Sequence, residues 1–235
     1  MIREAIVLAG GKGTRLKAVV DDLPKAMAPV NGRPFLEYQL DYLEKWGIEH
    51  VVLAVGYLRD VIINHFQEAY RSMSISYAIE EEPLGTGGAL VNAFTYIRRN
   101  AAFVLNGDTY FDVNLQRLND FRWAKEAKVC LTIRMLEDTV RYGTVEINKE
   151  HKITGFTEKG ARQGKGFING GVYLITNKYL DNYNLPGKFS LEKDFFEVHY
   201  ETADIYAMSC ASYFLDIGIP EDYQLAQDEF KDFII

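Results

Sequence analysis

The sequence predicts an α/β protein with a mainly parallel central sheet flanked by helices. Short apolar runs alternate with segments of helical period through the first half of the chain, and two of the turns between them are rich in glycine. Strand–helix alternation at this spacing places the strands parallel and covers both faces of the sheet. Ligands bind such sheets at the carboxyl ends of the strands, so polar residues that follow strands are the first candidates for a site.

In the first half, the apolar patterns predict four strands and three helices. Segment 35–46 is predicted to be helical because Phe35, Leu40 and Leu43 recur at close to helical period and Gly47 follows as a stop. Segment 50–55 is an apolar run, as a parallel strand covered on both faces should be. The predicted strands are residues 5–9, 50–55, 75–79 and 102–105, and the predicted helices are residues 35–46, 58–71 and 85–98.

In the second half, short strands separated by turns replace the alternation. The predicted strands are residues 129–135, 143–147, 152–157, 170–175 and 212–215, and the predicted helices are residues 191–200 and 221–230. Neither a composition break nor a linker rich in proline and serine divides the chain. We therefore expect a single domain over residues 1–235, with a parallel half over about 1–112 and a mixed half over about 113–235.

The composition is that of an ordinary globular protein, and it disfavours nucleic-acid-binding, membrane-spanning and disulfide-rich proteins. The 235 residues are 48% hydrophobic and 25% charged with a net charge of −7, so the chain lacks the basic surface that nucleic-acid binding needs. The longest apolar runs are too short to span a bilayer, and the N-terminus does not have the pattern of a signal peptide. Cys130 and Cys210 lie far apart in no metal-like pattern, which favours a reducing, cytoplasmic location over a disulfide framework.

The glycine-rich turn after the first strand predicts a phosphate site. Gly10, Gly11 and Gly13 have no Cβ to block an anion from the backbone N–H groups, and Arg15 and Lys25 add two cations nearby. The turn matches neither a Walker A loop nor a dinucleotide fingerprint, whose third glycine is missing. A turn that is rich in glycine for purely conformational reasons is the alternative, but so many donors and cations suit a polyphosphate.

Two strands are followed by an aspartate. Asp108 closes the Asn106-Gly107-Asp108 turn after strand 102–105, and Asp216 comes directly after strand 212–215. Carboxylates at the edge of a sheet can hold Mg²⁺, which takes a few protein oxygens together with phosphate oxygens. Two carboxylates that end two strands could share one such ion. The alternative for the first motif is a simple β-turn.

The second glycine-rich turn, residues 80–88, begins with the three acids Glu80, Glu81 and Glu82. Three carboxylates would repel a phosphate, but a carboxylate can accept hydrogen bonds from the adjacent N1–H and N2–H₂ groups of guanine. The turn is therefore a candidate site for a base. A solvated acidic turn that caps the next helix at Thr86 is the alternative.

Three further motifs of the second half carry weaker signals. Glu158 and Lys159 follow one short strand, Asn169 precedes Gly170-Gly171, and Tyr142 and Gly143 precede another strand. Their carboxylate, ammonium and amide groups suit sugar hydroxyls and a phosphate. Each motif is weak alone.

Taken together, the order and spacing of these motifs resemble the sugar-1-phosphate nucleotidyltransferases over nearly the whole chain. Ala26 departs from the family pattern, which usually has a second proline after the lysine. Within the family, segments 14–25 and 141–145 look most like enzymes that transfer GMP to D-glycero-alpha-D-manno-heptose 1-phosphate. The matching motifs are residues 8–15, 24–25, 82–88, 106–108, 156–159, 169–171 and 216–218.

The resemblance implies a Rossmann-like nucleotide-diphospho-sugar transferase fold. It also implies a reaction in which a nucleoside triphosphate, with GTP favoured, and a sugar 1-phosphate give a nucleotide sugar and pyrophosphate. Arg15 and Lys25 would act on the reacting phosphates, and Asp108 and Asp216 would bind Mg²⁺. The implied nucleotide-binding residues are Leu8, Ala9, Gly10, Gly11, Gly13, Thr14, Arg15, Glu80, Gly85, Thr86, Asn106 and Asp108. The implied sugar-phosphate-binding residues are Tyr142, Gly143, Glu158, Lys159 and Asn169.

Several alternatives stay open at this stage. The sugar could instead be mannose, glucose or N-acetylmuramate 1-phosphate, because a sequence cannot weigh the orientation of one hydroxyl. A catalytically silent subunit that binds nucleotide sugars is a second alternative, although such a protein would be expected to lose Arg15, Lys25 or a metal carboxylate. The 15 tyrosines and 14 phenylalanines fit either a core or an interface between copies, so a homo-oligomer also stays open.

Overall fold

The computed structural model describes residues 1–11, 13, 16, 22–158, 160 and 164–231. These residues form a large mixed sheet with helices on both faces, so the predicted fold class is confirmed. The strands are β1 (Glu4–Leu8), β2 (Pro29–Val30), β3 (Arg33–Pro34), β4 (His50–Val55), β5 (Ala69–Tyr70), β6 (Met73–Ile79), β7 (Ala101–Asn106), β8 (Thr109–Phe111), β9 (Val129–Leu136), β10 (Thr144–Ile147), β11 (Ile153–Thr157), β12 (Gly166–Thr176), β13 (Ile205–Ser209) and β14 (Phe214–Asp216).

The centre of the sheet is parallel, as the strand–helix alternation predicts. Strands β7, β1, β4 and β6 lie side by side in that order, and each neighbouring pair is parallel. The register places Ile6 beside Val52 and Val104, which face one side of the sheet. The next residue, Val7, lies beside Leu53 and faces the other side. Both faces are apolar, so both must be covered.

The second half of the chain extends the same sheet in antiparallel fashion. Strand β12 pairs antiparallel with β7, and β9 and β10 pair antiparallel with β12. The full order is β11-β10-β12-β7-β1-β4-β6-β5, with β9 also pairing with β13. The small two-stranded sheet of β8 and β14 places Asp216 opposite Thr109. This pairing brings the carboxylate that ends the late strand next to the turn after β7.

Helices cover the two faces. The helices are α1 (Phe35–Lys45), α2 (Arg59–Phe66), α3 (Gly85–Phe94), α4 (Leu115–Ala124), α5 (Glu197–His199), which continues a π-helical turn over Leu191–Phe196, and α6 (Pro220–Glu229). Helix α1 buries Phe35, Leu36 and Leu40 against the face that contains Val7. Helix α3 buries Leu90 in the core on the Ile6 face.

The structure differs from the predicted elements in a few places. The predicted helix 58–71 ends at Phe66, because Gln67 adopts a positive φ of 53° and the chain then enters the β5–β6 hairpin. Helix α4 and strand β13 were not predicted. Helix α4 buries only three of its residues, so its apolar period is weak in the sequence.

The amino end of the sheet, far from the strands' carboxyl ends, holds a buried carboxylate. Glu4 of β1 is 4% exposed and accepts hydrogen bonds from His50 Nδ1 at 3.0 Å and from the backbone N–H groups of Arg98 and Arg99 at 3.2 and 2.8 Å. Burial by itself raises the pKa of Glu4, but the hydrogen bonds outweigh it, so the pKa lies below 4.5. This carboxylate anchors the chain between α3 and β7 to the first strand.

Glu4→Gln should destabilise the protein in a pH-dependent way. Glutamine has one acceptor oxygen for the three donors, so we expect the free energy of unfolding at pH 7 to fall by about 1–3 kcal/mol. A pKa lowered by folding adds stability above its unfolded value of 4.5 and loses it as pH falls through the folded value. The gap between the wild type and Glu4→Gln, measured by urea unfolding, should therefore shrink below about pH 4.5.

The control for this experiment is Glu49→Gln. Glu49 pairs with Arg3 at the exposed surface of the same region, so its loss should change the free energy of unfolding by less than about 1 kcal/mol. A gap between the wild type and Glu4→Gln that is equal at pH 7 and pH 4 would contradict the role of the Glu4 charge.

Candidate active site

A cavity of about 660 Å³ opens at the carboxyl ends of β1, β4, β6 and β7. This is the edge where a ligand of a parallel sheet is expected. Most of the predicted nucleotide-binding residues line it together. The predicted residues that do so are Leu8, Ala9, Gly10, Gly11, Lys25, Glu80, Gly85, Thr86, Asn106 and Asp108.

Three charged side chains converge at the cavity, of which Lys25 and Asp108 line it. Lys25 Nζ donates a hydrogen bond of 2.5 Å to Asp108 Oδ2 and lies 3.9 Å from Asp216 Oδ1. The Lys25 side chain is only 11% exposed. Gly218 N donates to Asp216 Oδ1 at 2.6 Å, which fixes that carboxylate toward the ammonium. The ammonium therefore offsets part of the negative charge of two neighbouring carboxylates.

Two glycines make room for Lys25. Gly13 has a φ of +56°, and a Cβ at Gly13 would lie 2.8 Å from Lys25 Cβ. A Cβ at Gly218 would lie 2.7 Å from Asp216 Oδ1 and 3.1 Å from Lys25 Nζ. These glycines therefore serve the packing around Lys25 as well as the turns in which they occur.

Glu80, which also lines the cavity, folds over the glycine-rich turn. Its Oε2 accepts from Leu84 N at 3.0 Å, and a Cβ at Gly10 would lie 2.3 Å from its Oε1. Only glycine at position 10 allows this approach. Glu80 therefore presents a carboxylate to the cavity, where each of its oxygens has further acceptor capacity.

The start of α3 is held by a segment from the second half. Phe189 O accepts from Gly87 N at 3.0 Å, and a Cβ at Gly87 would lie 2.0 Å from the Phe189 ring. The Thr86 hydroxyl accepts from Leu191 N at 2.9 Å and donates to Glu192 Oε2 at 2.7 Å. The hydroxyl of Thr86 is thus committed to this contact.

Glu192 continues this contact toward the predicted sugar side. Its Oε1 lies 3.5 Å from the Tyr173 hydroxyl, which accepts from Asn169 Nδ2 at 2.9 Å. Asn169 Oδ1 accepts from Gly171 N at 3.1 Å. Burial raises the pKa of Tyr173 well above its usual value, and the charge of Glu192 adds to this. A continuous chain of hydrogen bonds therefore joins Thr86 to Asn169.

None of the described sugar-side residues, Asn169, Tyr142, Gly143 and Glu158, belongs to the cavity lining. Tyr142 packs edge-on against Phe214, with ring centroids 6.4 Å apart, and burial together with the charge of Asp216 raises its pKa. Its neighbour Arg141 pairs with Asp222 at the start of α6. Glu158 is exposed directly after β11, and Gly143 is exposed before β10. Tyr142 therefore lies on the Asp216 side of the site, whereas Thr14, Arg15 and Lys159 lie outside the described residues.

Several residues that line the cavity were not among the site residues predicted from the sequence. Gly56, Tyr57 and Arg59 after β4 also line the cavity, as does Glu81. The rule that ligands meet the carboxyl ends of parallel strands could have found the first three, since they follow a predicted strand. Glu192 carried no comparable signal, because Ser190-Leu191-Glu192 reads only as the start of a helix.

Two classes of feature are absent from the described part of the chain. No three His, Cys, Asp or Glu side chains within it gather into a group that could hold a metal ion. None of its helices combines the length and the apolar character that crossing a bilayer demands.

The sequence matches the family model described as nucleotidyl transferase over residues 4–232. The chain belongs to the nucleotidyl transferase family. This nucleotidyl transferase is similar to D-glycero-alpha-D-manno-heptose 1-phosphate guanylyltransferase from Campylobacter jejuni subsp. jejuni serotype O:2, with 44% identity over 94% of this chain and 96% of the relative. It is 42% identical to the enzyme of that name from Aneurinibacillus thermoaerophilus, over 98% of this chain and 100% of the relative.

The fold of this nucleotidyl transferase also matches a solved structure along almost its whole length. HddC from Yersinia pseudotuberculosis superposes with a TM-score of 0.88 at 37% identity, over 98% of this chain and 100% of that one. The same protein complexed with GMP-PN gives a TM-score of 0.87. The predicted family and the expected enzymatic class are therefore confirmed.

Gly218→Ala tests whether the spacing of the three charges matters. The new Cβ meets the ends of two flexible side chains, so we expect the melting temperature to change little while Asp216 and Lys25 move apart. A displacement of this kind should lower kcat by about 10–100-fold. The control is Gly155→Ala, whose Cβ would make an ordinary 3.5 Å contact with Glu146 Oε2 in the sheet. A kcat equal to that of the control would refute the requirement for this spacing.

Proposed function

We propose that this nucleotidyl transferase transfers GMP from GTP to D-glycero-alpha-D-manno-heptose 1-phosphate. The observation that carries the proposal is the convergence of Lys25, Asp108 and Asp216 at a cavity whose lining also includes Glu80. We assign the phosphates of the nucleotide to the three charged residues and its base to the side of Glu80, the base end of the cavity. The choice of heptose follows the two relatives that match nearly the whole chain.

In this reaction an oxygen of the sugar 1-phosphate attacks the α-phosphorus of GTP in line. A new P–O bond forms, the bond to the β-phosphate breaks, and pyrophosphate leaves. Such transfers need little covalent help, so positioning and charge neutralisation supply most of the catalysis. Lys25 neutralises charge on the reacting phosphates, and the backbone of Gly10 and Gly11 lies along the triphosphate. Arg15 is assigned to the leaving pyrophosphate.

We assign Mg²⁺ to Asp108 and Asp216. Their carboxylate oxygens lie 2.5 and 3.9 Å from the same ammonium nitrogen, so they converge on one point, and hard oxygen ligands suit this ion. Two carboxylates leave room for phosphate oxygens to complete the coordination. When bound, the ion would neutralise negative charge on the α-phosphate. With the ion on the carboxylates, the Lys25 ammonium would be available to pair with the phosphates.

The base end of the cavity suits guanine. Glu80 supplies acceptors for the N1–H and N2–H₂ groups. Arg59 Nη1 is paired with Glu81 Oε2 at 3.0 Å, and its remaining N–H groups can donate to the O6 and N7 acceptors. Adenine would place an amino group where Arg59 needs an acceptor. The alternation of acceptor and donor groups therefore favours GTP.

We assign the sugar 1-phosphate to Asn106 and to residues of the second half of the chain. Asn106 Oδ1 is buried and has no hydrogen-bond partner among the described residues, so a ligand hydroxyl would satisfy it. Tyr142, Gly143, Glu158, Lys159 and Asn169 are assigned to the sugar phosphate.

Both cysteines are free, which fits a protein that works in a reducing compartment such as the cytoplasm.

The experiment that tests the function measures pyrophosphate release with Mg²⁺ for four nucleoside triphosphates, each with heptose, mannose, glucose and N-acetylmuramate 1-phosphates. We expect release to be fastest with GTP and D-glycero-alpha-D-manno-heptose 1-phosphate. Faster release with another pair would move the specificity to that pair. No release with any pair would contradict the proposed transfer and leave a silent nucleotide-sugar-binding protein.

Lys25→Ala should separate two effects of the ammonium. Loss of a preorganised charge that stabilises the transition state lowers kcat by about 10²–10³-fold. Without the ammonium between them, Asp108 and Asp216 should bind Mn²⁺ more tightly in the nucleotide-free protein, as measured by electron paramagnetic resonance. A kcat loss below tenfold would remove Lys25 from catalysis. An unchanged Mn²⁺ affinity would show that the ammonium does not compete with the cation.

Arg59→Met tests how guanine is recognised. We expect kcat/KM for GTP to fall by about 5–100-fold, as for the loss of a bidentate contact to O6 and N7. The wild type should discriminate against 7-deaza-GTP, and Arg59→Met should not, because N7 no longer has a partner. The control is Arg3→Met, which removes an exposed arginine of similar pairing from the other end of the sheet. Equal use of GTP and 7-deaza-GTP by the wild type would refute the contact.

A further inference from the structure

One side chain of α1 holds the turn that contains Asp108 by two hydrogen bonds. Gln39 is 1% exposed and lies on the buried face of α1, between Leu36 and Leu43. Its Nε2 donates to Asn106 O at 2.8 Å and to Thr109 O at 2.7 Å. These two carbonyls belong to the last residue of β7 and the first residue of β8. One amide group therefore pins both ends of the turn that contains Asp108.

The orientation of this amide follows from its partners. Two carbonyl oxygens accept and cannot donate, so only the NH₂ end of Gln39 can face them. Gln39 Oε1 is then buried, with no hydrogen-bond partner among the described residues. A buried acceptor without a partner costs free energy, on the order of 1–3 kcal/mol. Glutamine at this position therefore satisfies both N–H donors of its amide and leaves the amide oxygen unsatisfied.

Backbone hydrogen bonds connect this turn to the segments that hold the other charged residues of the site. Gly107 N donates to Leu8 O at 3.0 Å, and Asp108 O accepts from Ile217 N at 3.0 Å. The turn thus joins β1 to the segment after Asp216. A shift of its two ends would move Asp108 relative to Lys25 and Asp216 together.

We infer that Gln39 is a positioning residue, which sets the Asp108 carboxylate for the cation and for Lys25. This rests on the proposed role of Asp108 in binding Mg²⁺. Groups that orient metal ligands without touching the metal are worth about 10–100-fold in metal affinity or activity. This role differs from general support of the fold, because it predicts weaker binding of the cation and unchanged binding of the base.

Gln39→Leu removes both donors and keeps a similar volume. We expect Mn²⁺ affinity of the GTP-bound protein and kcat to fall by about 10–100-fold, while KM for GTP changes less than threefold. Gln39→Met, which keeps the length of the side chain, is the second variant if the leucine variant does not fold. Melting temperatures of all variants are measured in parallel.

Tyr42→Phe is the matched control. Tyr42 lies on the same helix, is 1% exposed, and donates from its hydroxyl to Val113 O at 2.6 Å. The Tyr42→Phe variant therefore removes a buried hydrogen bond from α1 to a backbone carbonyl just beyond β8. We expect it to lower the melting temperature without changing Mn²⁺ affinity or kcat.

Asp108→Asn separates the two ways in which the inference can fail. If Asp108→Asn leaves Mn²⁺ affinity of the GTP-bound protein unchanged, the metal assignment itself is wrong. If Asp108→Asn weakens Mn²⁺ but Gln39→Leu behaves like Tyr42→Phe, then Gln39 supports only the fold. A loss of Mn²⁺ affinity in Gln39→Leu beyond that of Tyr42→Phe supports the positioning role.

Discussion

The ammonium of Lys25 between two carboxylates is the contact around which the site is organised. Its three members come from distant parts of the chain, and each is delivered by a different piece of structure. Lys25 begins a short 3₁₀ turn, Asp108 lies in the turn after β7, and Asp216 ends β14. Two features produce this convergence. Strand β14 pairs with β8, and the glycines at positions 13 and 218 leave room for the Lys25 side chain. One ammonium and two carboxylates leave a net negative charge at this point, which is the charge that the proposed cation would meet.

The two halves of the chain are joined at two levels. The backbone joins them where β12 pairs with β7, which makes one sheet of parallel and antiparallel parts. Side chains join them where Glu192 connects Thr86 to Tyr173 and Asn169. The same segment covers the first turn of α3 through Phe189. Thr86, predicted to bind the nucleotide, and Asn169, assigned to the sugar phosphate, are therefore held in one hydrogen-bonded network rather than on independent supports.

The two ends of the parallel strands have opposite characters. At the amino end, Glu4 has a partner for each oxygen, and this satisfied buried carboxylate holds the fold together. At the carboxyl end, Asn106 Oδ1 and Gln39 Oε1 are buried acceptors without partners in the described chain. Unsatisfied buried groups of this kind cost stability, and Asn106 lines the cavity, although further unsatisfied groups such as Trp46 Nε1 and Arg134 Nε lie elsewhere in the described chain.

The sequence by itself determined the strand–helix alternation, the glycine-rich turn at residues 10–13 and the family, because local period and motif spacing are properties of neighbouring residues. It also predicted Gly10, Glu80 and Asp108 as site residues because each follows a strand end, and these three line one cavity together with Lys25. Only the tertiary structure decided what these residues touch. Gln39 reads as one more residue of an amphipathic helix until β7 and β8 are packed above it, and Glu192 reads as a helix start until α3 lies against it. Contacts between residues so far apart in sequence depend on how the sheet closes, which no local pattern encodes.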